Sequence, residues 1–235
     1  MVPLLLTVAI FALTIAAQVC ASDNSTKARI RNNGLELFLA LTFFVFASVS
    51  QTIFNTFNCV TYGDDPVLYL AVDESLSCET EVHQKYQKFA MVMALFYPLG
   101  IPILYAYMLF RNMSALKESE SLRLKNPNLV KMSFLFYMYE SHVWWFELFE
   151  CVRRLAMTSL LVFIEPGTTS QILIALLLAT GSVVAFTHFR PYIDDSDDNL
   201  ATACQISIWF TIFGCLLVRI GVDKQDEYDQ VRLDE

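Results

Sequence analysis

The stretch Tyr139-Glu-Ser-His-Val-Trp-Trp-Phe-Glu-Leu-Phe-Glu-Cys-Val-Arg-Arg154 decides the fold. It sets ionisable side chains among aromatic ones, and an apolar run follows it. On a helix, Glu140, Glu147 and Arg154 recur every seven residues and therefore lie on one face. Glu150 lies within about 60° of the same line. The pattern predicts a membrane helix that carries three carboxylates and a guanidinium on one side.

These charges have two interpretations. An ionisable group at membrane depth is costly, so it indicates a functional site by default. Glu150 and Arg154 are four residues apart, however, and an ion pair between them would remove much of that cost. Arg153 is expected to point elsewhere, beside His142. The simpler interpretation is an ion pair that fixes how the helix packs, and the other is a polar site for an ion or small solute.

Composition indicates an all-α, polytopic integral membrane protein. The chain has 235 residues, of which 55% are hydrophobic and 14% aromatic, more than a soluble domain usually carries. Its lipid-facing surface makes the bilayer the first expected partner. A net charge of −8 argues against nucleic acid as a partner.

Hydrophobic runs predict about six transmembrane helices, or five if Met1–Ala21 is a cleaved signal peptide. The predicted spans are Met1–Cys20, Leu35–Phe57, Phe89–Phe110, the opening stretch up to Ile164, Gln171–Phe189 and Leu200–Ile220. Three regions follow. Residues 1–34 are an apolar segment with a basic linker, residues 35–220 are the helix bundle, and residues 221–235 are an acidic polar tail.

Two further polar features lie within the predicted spans. Gln51 and Asn55 belong to a polar stripe that should face other helices or a wet cavity. Pro98, Gly100 and Pro102 lie near the middle of the third span, where each proline removes a backbone donor. We expect the helix to kink or break there. Freed carbonyls at membrane depth either are satisfied by packing or form an ion or substrate site.

The distribution of charge predicts the topology. Segments 21–34, 111–143 and 190–199 carry nine Lys or Arg, against four in 58–88 and 221–235. Positively charged loops favour the cytosol, so both termini and the loop from Cys59 to Lys88 are expected outside. Cys59 and Cys78 share that loop, and a disulfide between them is favoured in an oxidising compartment. The cysteines of the apolar runs are expected to stay reduced.

The chain resembles the C-terminal multi-helix region of large membrane proteins of algae and other protists, a region often described as similar to transient-receptor-potential (TRP) channels. The residues that carry the resemblance are Phe57-x-Cys59, Tyr69-Leu70-x-x-Asp73, Cys78, Tyr97-Pro98-x-Gly100-Ile101-Pro102, Trp144-Trp145-x-Glu147 with Arg153-Arg154, Pro166-Gly167-Thr168-x-x-Gln171, and Arg190-Pro191-Tyr192 with Asp198-Asn199-Leu200-Ala201. The resemblance covers about Leu35 to Ile220. It implies an integral-membrane module that usually follows a large extracellular part, and it assigns no catalytic residue.

Three functional classes follow from these patterns. The first is a channel- or transporter-like bundle that conducts an ion or small solute, although segment 190–199 is too short for the pore helix of a TRP-type channel. The second is a pore-less membrane anchor or receptor-like module, alone, in an oligomer or joined to a larger extracellular region. An enzyme comes third, because no nucleophile motif, metal signature or phosphate loop is visible. We expect no catalytic residue, metal or other cofactor, and both the plasma membrane and endomembranes stay open as locations.

Overall fold

A computed structural model describes residues 24–61, 67–130, 132–164 and 168–233. The predicted first span, Met1–Cys20, lies outside the described residues, as does the question whether Met1–Ala21 is cleaved. The chain divides into two compact units, one up to Leu155 and one from Ala156 onward. Each unit is described by itself.

The first unit begins with a single long helix, α1 (Asn24–Asn55). Its 32 residues correspond to about 48 Å, well over the roughly 30 Å of a hydrocarbon core. The part that is apolar enough to cross a membrane is Arg29–Asn55. The predicted span began at Leu35, because the polar residues before it do not follow an apolar pattern. The helix nevertheless includes the basic linker, since Lys and Arg are good helix formers.

A small antiparallel sheet occupies the loop after α1. It consists of β1 (Cys59–Val60), β2 (Tyr69–Leu70) and β3 (Asp73–Ser77), with β2 in the centre. Backbone bonds tie the loop together: the N–H of Cys78 donates to the carbonyl of Leu68 at 2.8 Å. The all-α prediction therefore holds for the bundle but missed these three short strands, which lie in a loop rich in turn residues.

The next membrane helix passes through Pro98 without leaving the helical path. It consists of α2 (Glu81–Ala94), a π-helical segment (Leu95–Leu99) and α3 (Gly100–Arg111). The sequence predicted a kink or break at Pro98, Gly100 and Pro102, and the structure has a π-helical segment there within a continuous helical path. Pro98 cannot donate to the carbonyl four residues earlier, and widening the helix by one residue accommodates that loss. A Cβ at Gly100 would lie 3.3 Å from the carbonyl oxygen of Leu95, so glycine suits this tight segment.

Short helical turns connect α3 to the opening stretch. They are α4 (Met113–Leu116), α5 (Glu120–Arg123), α6 (Pro127–Val130) and the 3-10 turns Ser133–Leu135 and Ser141–Val143. The helix α7 (Phe146–Thr158) and a 3-10 turn at Leu160–Phe163 follow. Because α7 has 13 residues, about 20 Å, it is too short to span a bilayer. The predicted fourth span is therefore not among the described spanning helices.

The core of the first unit lies where α1 and α3 meet the connecting turns. Buried apolar residues recur at three- and four-residue spacing on both helices, as on one helical face. They are Leu39, Phe43 and Phe46 on α1 and Ile101, Tyr105 and Leu109 on α3. The hydroxyl of Tyr105 lies 2.9 Å from both the carbonyl oxygen of Leu39 and the hydroxyl of Thr42. A buried polar group is thus satisfied while it joins the two helices.

The second unit contains two long helices, α8 (Thr169–Phe189) and α9 (Asp195–Leu233). Arg190 ends α8 in the left-handed conformation with φ 40°, and Pro191 prevents the helix from continuing. The Arg190 guanidinium lies 2.7 Å from Asp195 and 3.5 Å from Asp198. The helix α9 begins five residues before the predicted sixth span, and its backbone is helical through most of the predicted 221–235 tail.

Among the described residues, four segments are long and apolar enough to cross a membrane. They are Arg29–Asn55, Glu81–Arg111, Thr169–Phe189 and Asp195–Gly221. In chain order, these four segments correspond to the second, third, fifth and sixth predicted spans. The count of six is not confirmed, because one predicted span is too short and another lies outside the described residues.

The two loops that flank the helix from Glu81 to Arg111 are expected on opposite sides of the membrane, since one crossing separates them. Single reporters at the exposed positions Glu74→Cys and Glu118→Cys, with Cys204 and Cys215 replaced by serine, test this in sealed cells. A membrane-impermeant maleimide should label the first directly and the second only after permeabilisation. Labelling of both from one side would contradict the topology.

Candidate functional site

The candidate site is a cluster of charged and aromatic side chains around the first two turns of α7. Glu147 and Glu150 are each 4% exposed, although both are carboxylic acids. Buried charges are retained only when they are paired, hydrogen-bonded or neutralised. The two carboxyl groups meet this requirement in different ways, which gives them different chemistry.

Glu150 is paired with two guanidinium groups. Arg153 donates to both of its oxygens, with Nε–Oε1 at 2.8 Å and Nη2–Oε2 at 3.0 Å. Arg154 donates from Nε to Oε2 at 3.2 Å. The expected pair between Glu150 and Arg154 is present, but the expectation that Arg153 points away is wrong. A spacing of three residues also brings side chains together on a helix, and a long arginine side chain can bend back to reach the same carboxylate.

Arg154 also connects α7 to α1. Its guanidinium lies over the Phe43 ring, 4.0 Å from the ring centroid, a distance suited to a cation–π interaction. The Phe43 ring in turn meets the edge of Phe134, with centroids 5.4 Å apart. Arg154 is thus both a partner of Glu150 and part of the packing between two elements.

No ion pair with an arginine is seen for Glu147 among the described residues. Its Oε2 accepts a hydrogen bond of 2.7 Å from the Tyr139 hydroxyl. Its Oε1 is buried and has no hydrogen-bond partner among the described residues. Burial raises the pKa of Glu147 from 4.5 to about 7, against the opposing effects of Tyr139 and Arg154. A proton on Oε1 would leave the bond from Tyr139 intact, so this carboxyl can exchange a proton near neutral pH.

Tyr139 is held in place by a buried arginine that the sequence did not single out. Arg123 is 2% exposed, and both its Nη atoms donate to the carbonyl oxygen of Tyr139 at 3.1 Å. Burial lowers the pKa of Arg123, partly opposed by Glu120 and Glu140. An arginine in a basic loop looks solvated, so no sequence signal distinguished Arg123 from its neighbours.

The opening stretch is not one helix, and the hydrogen bonds of its first turn differ from those of an α-helix. A helix through this stretch would use the Tyr139 carbonyl to accept from the N–H of Val143, whereas here Arg123 donates to that carbonyl. Val143 instead donates to Glu140 at 3.2 Å, in a 3-10 turn. Glu140 therefore lies outside α7, and the expected face of three carboxylates contains only two.

The other candidate residues lie apart from this cluster. The hydrogen bonds and ion pairs that build it include neither Gln51 nor Asn55, and Gln51 is exposed. Pro98 is buried in the π-helical segment, next to Tyr97, whose ring stacks on Phe46 at 6.2 Å. The structure thus brings together Glu147, Glu150, Arg153 and Arg154, and it does not join the polar stripe or the proline segment to them.

Cys59 and Cys78 form a disulfide in the loop sheet. Their Cα atoms are 6.4 Å apart, within the range of about 4.4–6.8 Å that a disulfide allows. Cys151, Cys204 and Cys215 are free, whereas Cys20 lies outside the described residues. The bond fastens β1 to the segment that precedes α2.

The class that this architecture defines is a predominantly helical protein, with four described helices long and apolar enough to cross a bilayer. No protein-family model matches the chain, and neither a curated protein nor a solved structure matches it.

The pH dependence of stability is expected to depend on Glu147, which lies outside the four spanning helices. A pKa raised from 4.5 to about 7 means that the folded protein binds the proton more tightly than the unfolded chain. The stabilisation is complete below pH 4.5 and is lost as the pH rises towards 7, by roughly 3 kcal/mol at about 1.4 kcal/mol per pKa unit. Unfolding of the purified protein in detergent from pH 5 to 8 measures this slope.

Glu147→Gln should flatten that pH dependence, because the amide does not titrate. Glu118→Gln is the matched control, since it makes the same chemical change at an exposed position and should keep the slope of the parent. Parallel pH profiles for the parent and Glu147→Gln would contradict the assignment.

Proposed function

We propose that this chain is a multi-pass integral membrane protein of channel- or transporter-like type, in which Glu147 is the group that exchanges a proton or cation. The observation that carries the proposal is the buried Glu147 carboxyl with one oxygen unpartnered among the described residues. Ionisable residues at membrane depth commonly mark ion or substrate pathways and proton relays. The resemblance to TRP-like regions of protist membrane proteins supports the same class.

The charge balance of the cluster suggests how Glu147 would act. Glu150, Arg153 and Arg154 together carry one positive charge. Ionised Glu147 makes the cluster neutral, and protonated Glu147 leaves it positive. A cation approaching Glu147 would therefore compete with a proton for one carboxylate, while the two arginines set the field around it. Gln51, Asn55 and the segment from Pro98 to Pro102 remain candidates for the rest of a pathway.

The alternative is a pore-less anchor or receptor-like module, in an oligomer or attached to a larger extracellular region. A specific observation favours it as well: both oxygens of Glu150 are occupied, and Arg154 packs on Phe43. In this case the cluster only fixes α7 against the neighbouring elements. Both proposals place the protein in a membrane, either the plasma membrane or an endomembrane.

Ion flux into proteoliposomes separates the two proposals. The purified protein, reconstituted with K⁺, Na⁺ or a pH gradient, should carry a flux above that of empty vesicles that changes between pH 5 and 8. Glu147→Gln should abolish the pH dependence, and Glu118→Gln should not. Absence of flux in the folded parent would favour the anchor, and an unchanged pH profile in Glu147→Gln would remove Glu147 from the mechanism.

A further inference from the structure

A second cluster of chemically reactive side chains lies in the loop sheet, apart from the Glu147 site. The Sγ atoms of Cys59 and Cys78 and a ring nitrogen of His83 all lie within 4.8 Å of one another. The three residues come from the start of β1, the end of the sheet and the first turn of α2. Cys78 and His83 are buried. A sheet and a helix end thus bring two sulfurs and an imidazole together, with Cys59 19 residues before Cys78 in the chain.

A helix cap holds the backbone of His83, but one nitrogen of its side chain has no hydrogen-bond partner among the described residues. The hydroxyl of Thr80 caps α2 by accepting from the backbone N–H of His83 at 3.3 Å. The imidazole is buried, with 7% of the residue exposed, and its Nε2 has no hydrogen-bond partner among the described residues. A buried polar nitrogen without a partner is costly and needs an explanation. A ligand bound in another state of the protein would supply one.

The donor set is the one that zinc prefers. Structural and catalytic zinc sites use thiolate sulfur at about 2.3 Å and imidazole nitrogen at about 2.0–2.1 Å in a tetrahedral arrangement. Such an arrangement places the ligand atoms roughly 3.5–4 Å apart. The three atoms already lie within 4.8 Å of one another, so small side-chain movements suffice. Sulfurs joined in a disulfide are not thiolate ligands, so the oxidised loop does not offer this site.

We propose that reduction of the Cys59–Cys78 disulfide converts this cluster into a site for one Zn²⁺, with the two thiolates and the His83 imidazole as ligands. A dithiol reductant supplies two electrons and two protons, so that the loop disulfide becomes two thiols and the reductant becomes a disulfide. Binding of Zn²⁺ then releases the two thiol protons. Water takes the fourth position. The loop would accordingly have two alternative cross-links, a disulfide when oxidised and a metal when reduced.

Zinc binding to the purified full-length chain in detergent tests the proposal, with Zn²⁺ alone as the probe and a chromophoric chelator as competitor. After reduction and anaerobic removal of the reductant, the parent should bind one more equivalent of Zn²⁺ than the oxidised parent. The Cys59→Ser, Cys78→Ser double variant should lose that equivalent. His83→Gln should weaken binding by at least about tenfold, as loss of a ligand would. His142→Gln and Cys215→Ser, at exposed positions, are the matched controls.

Cobalt(II) provides a measurement that needs no variant. In the reduced parent it should produce a thiolate-to-cobalt charge-transfer band and the ligand-field bands of a tetrahedral site, both absent from the oxidised parent. Equal zinc binding by the oxidised and reduced parent would overturn the proposal. Retention of the extra equivalent by the double cysteine variant, or the absence of the charge-transfer band from the reduced parent, would also overturn it.

Discussion

Glu150→Gln is expected to destabilise the protein by about 3–5 kcal/mol, because it leaves two guanidinium groups without their shared carboxylate. The Glu150 side chain is 5% exposed and that of Arg153 14%, so solvent does not replace the lost interaction. The Arg154 side chain is 35% exposed and also contacts Phe43. Most of the loss should therefore come from the two hydrogen bonds between Arg153 and Glu150.

The two single arginine variants should also differ in stability. Arg153 makes two hydrogen bonds to Glu150 and Arg154 makes one longer bond, so Arg153→Met should cost more than Arg154→Met. The combined variant Glu150→Leu, Arg153→Met, Arg154→Met should be more stable than Glu150→Gln, since neither guanidinium is left without the Glu150 carboxylate.

Chemical or thermal unfolding in detergent measures these free energies, with Glu118→Gln as the exposed control. The coupling between the sites is the departure of the combined variant from the sum of the single effects. Additive effects of the single changes would show that the three side chains do not interact. An Arg154→Met effect larger than that of Arg153→Met would contradict the geometry around Glu150.

Removal of the Cys59–Cys78 disulfide is expected to destabilise the first unit by about 3 kcal/mol. The bond closes a loop with a sequence separation of 19 residues, and the chain-entropy model gives this magnitude for a loop of that length. The double replacement Cys59→Ser, Cys78→Ser removes the cross-link while keeping side chains of similar size. Unfolding under oxidising conditions compares it with the parent.

Reductant provides the internal control for this prediction. In metal-free buffer, it should lower the stability of the parent by about as much as the double replacement does, and it should leave the double variant unchanged. Cys204→Ser, a change at an exposed free cysteine, should respond to reductant as the parent does. Equal stability of the oxidised parent and the double variant would show that the loop is already ordered without the bond.

Sequence patterns predicted the elements whose signals are local. The predicted spans at Leu35, Phe89, Gln171 and Leu200 each coincide with a described helix that is long and apolar enough to cross a membrane. A span of about twenty apolar residues needs no tertiary partner to be recognised, because the bilayer itself sets its length. The disulfide was predictable for a similar reason, since its two cysteines share one short polar loop.

Local patterns failed where the backbone departs from the helix that the spacing predicts. The sequence pattern from Tyr139 to Arg154 predicts one helix, but α7 begins only at Phe146. The guanidinium of Arg123 donates hydrogen bonds to the Tyr139 carbonyl instead. Glu140 therefore lies outside the helical face. At Pro98 the sequence predicts a kink or break, and the structure has a π-helical segment there within a continuous helical path.

The sequence by itself determined the mainly helical fold, four helices long and apolar enough to cross a membrane, and the pairing of Glu150 with Arg154. Hydropathy and spacing along the chain are properties of the unfolded sequence, so they can be read without a structure. Only the tertiary structure decided which guanidinium meets Glu150, that Glu147 keeps an unpartnered oxygen among the described residues, and that His83 lies beside the disulfide. These facts depend on burial and on contacts between residues far apart in the chain, and side-chain spacing within one helix does not specify them.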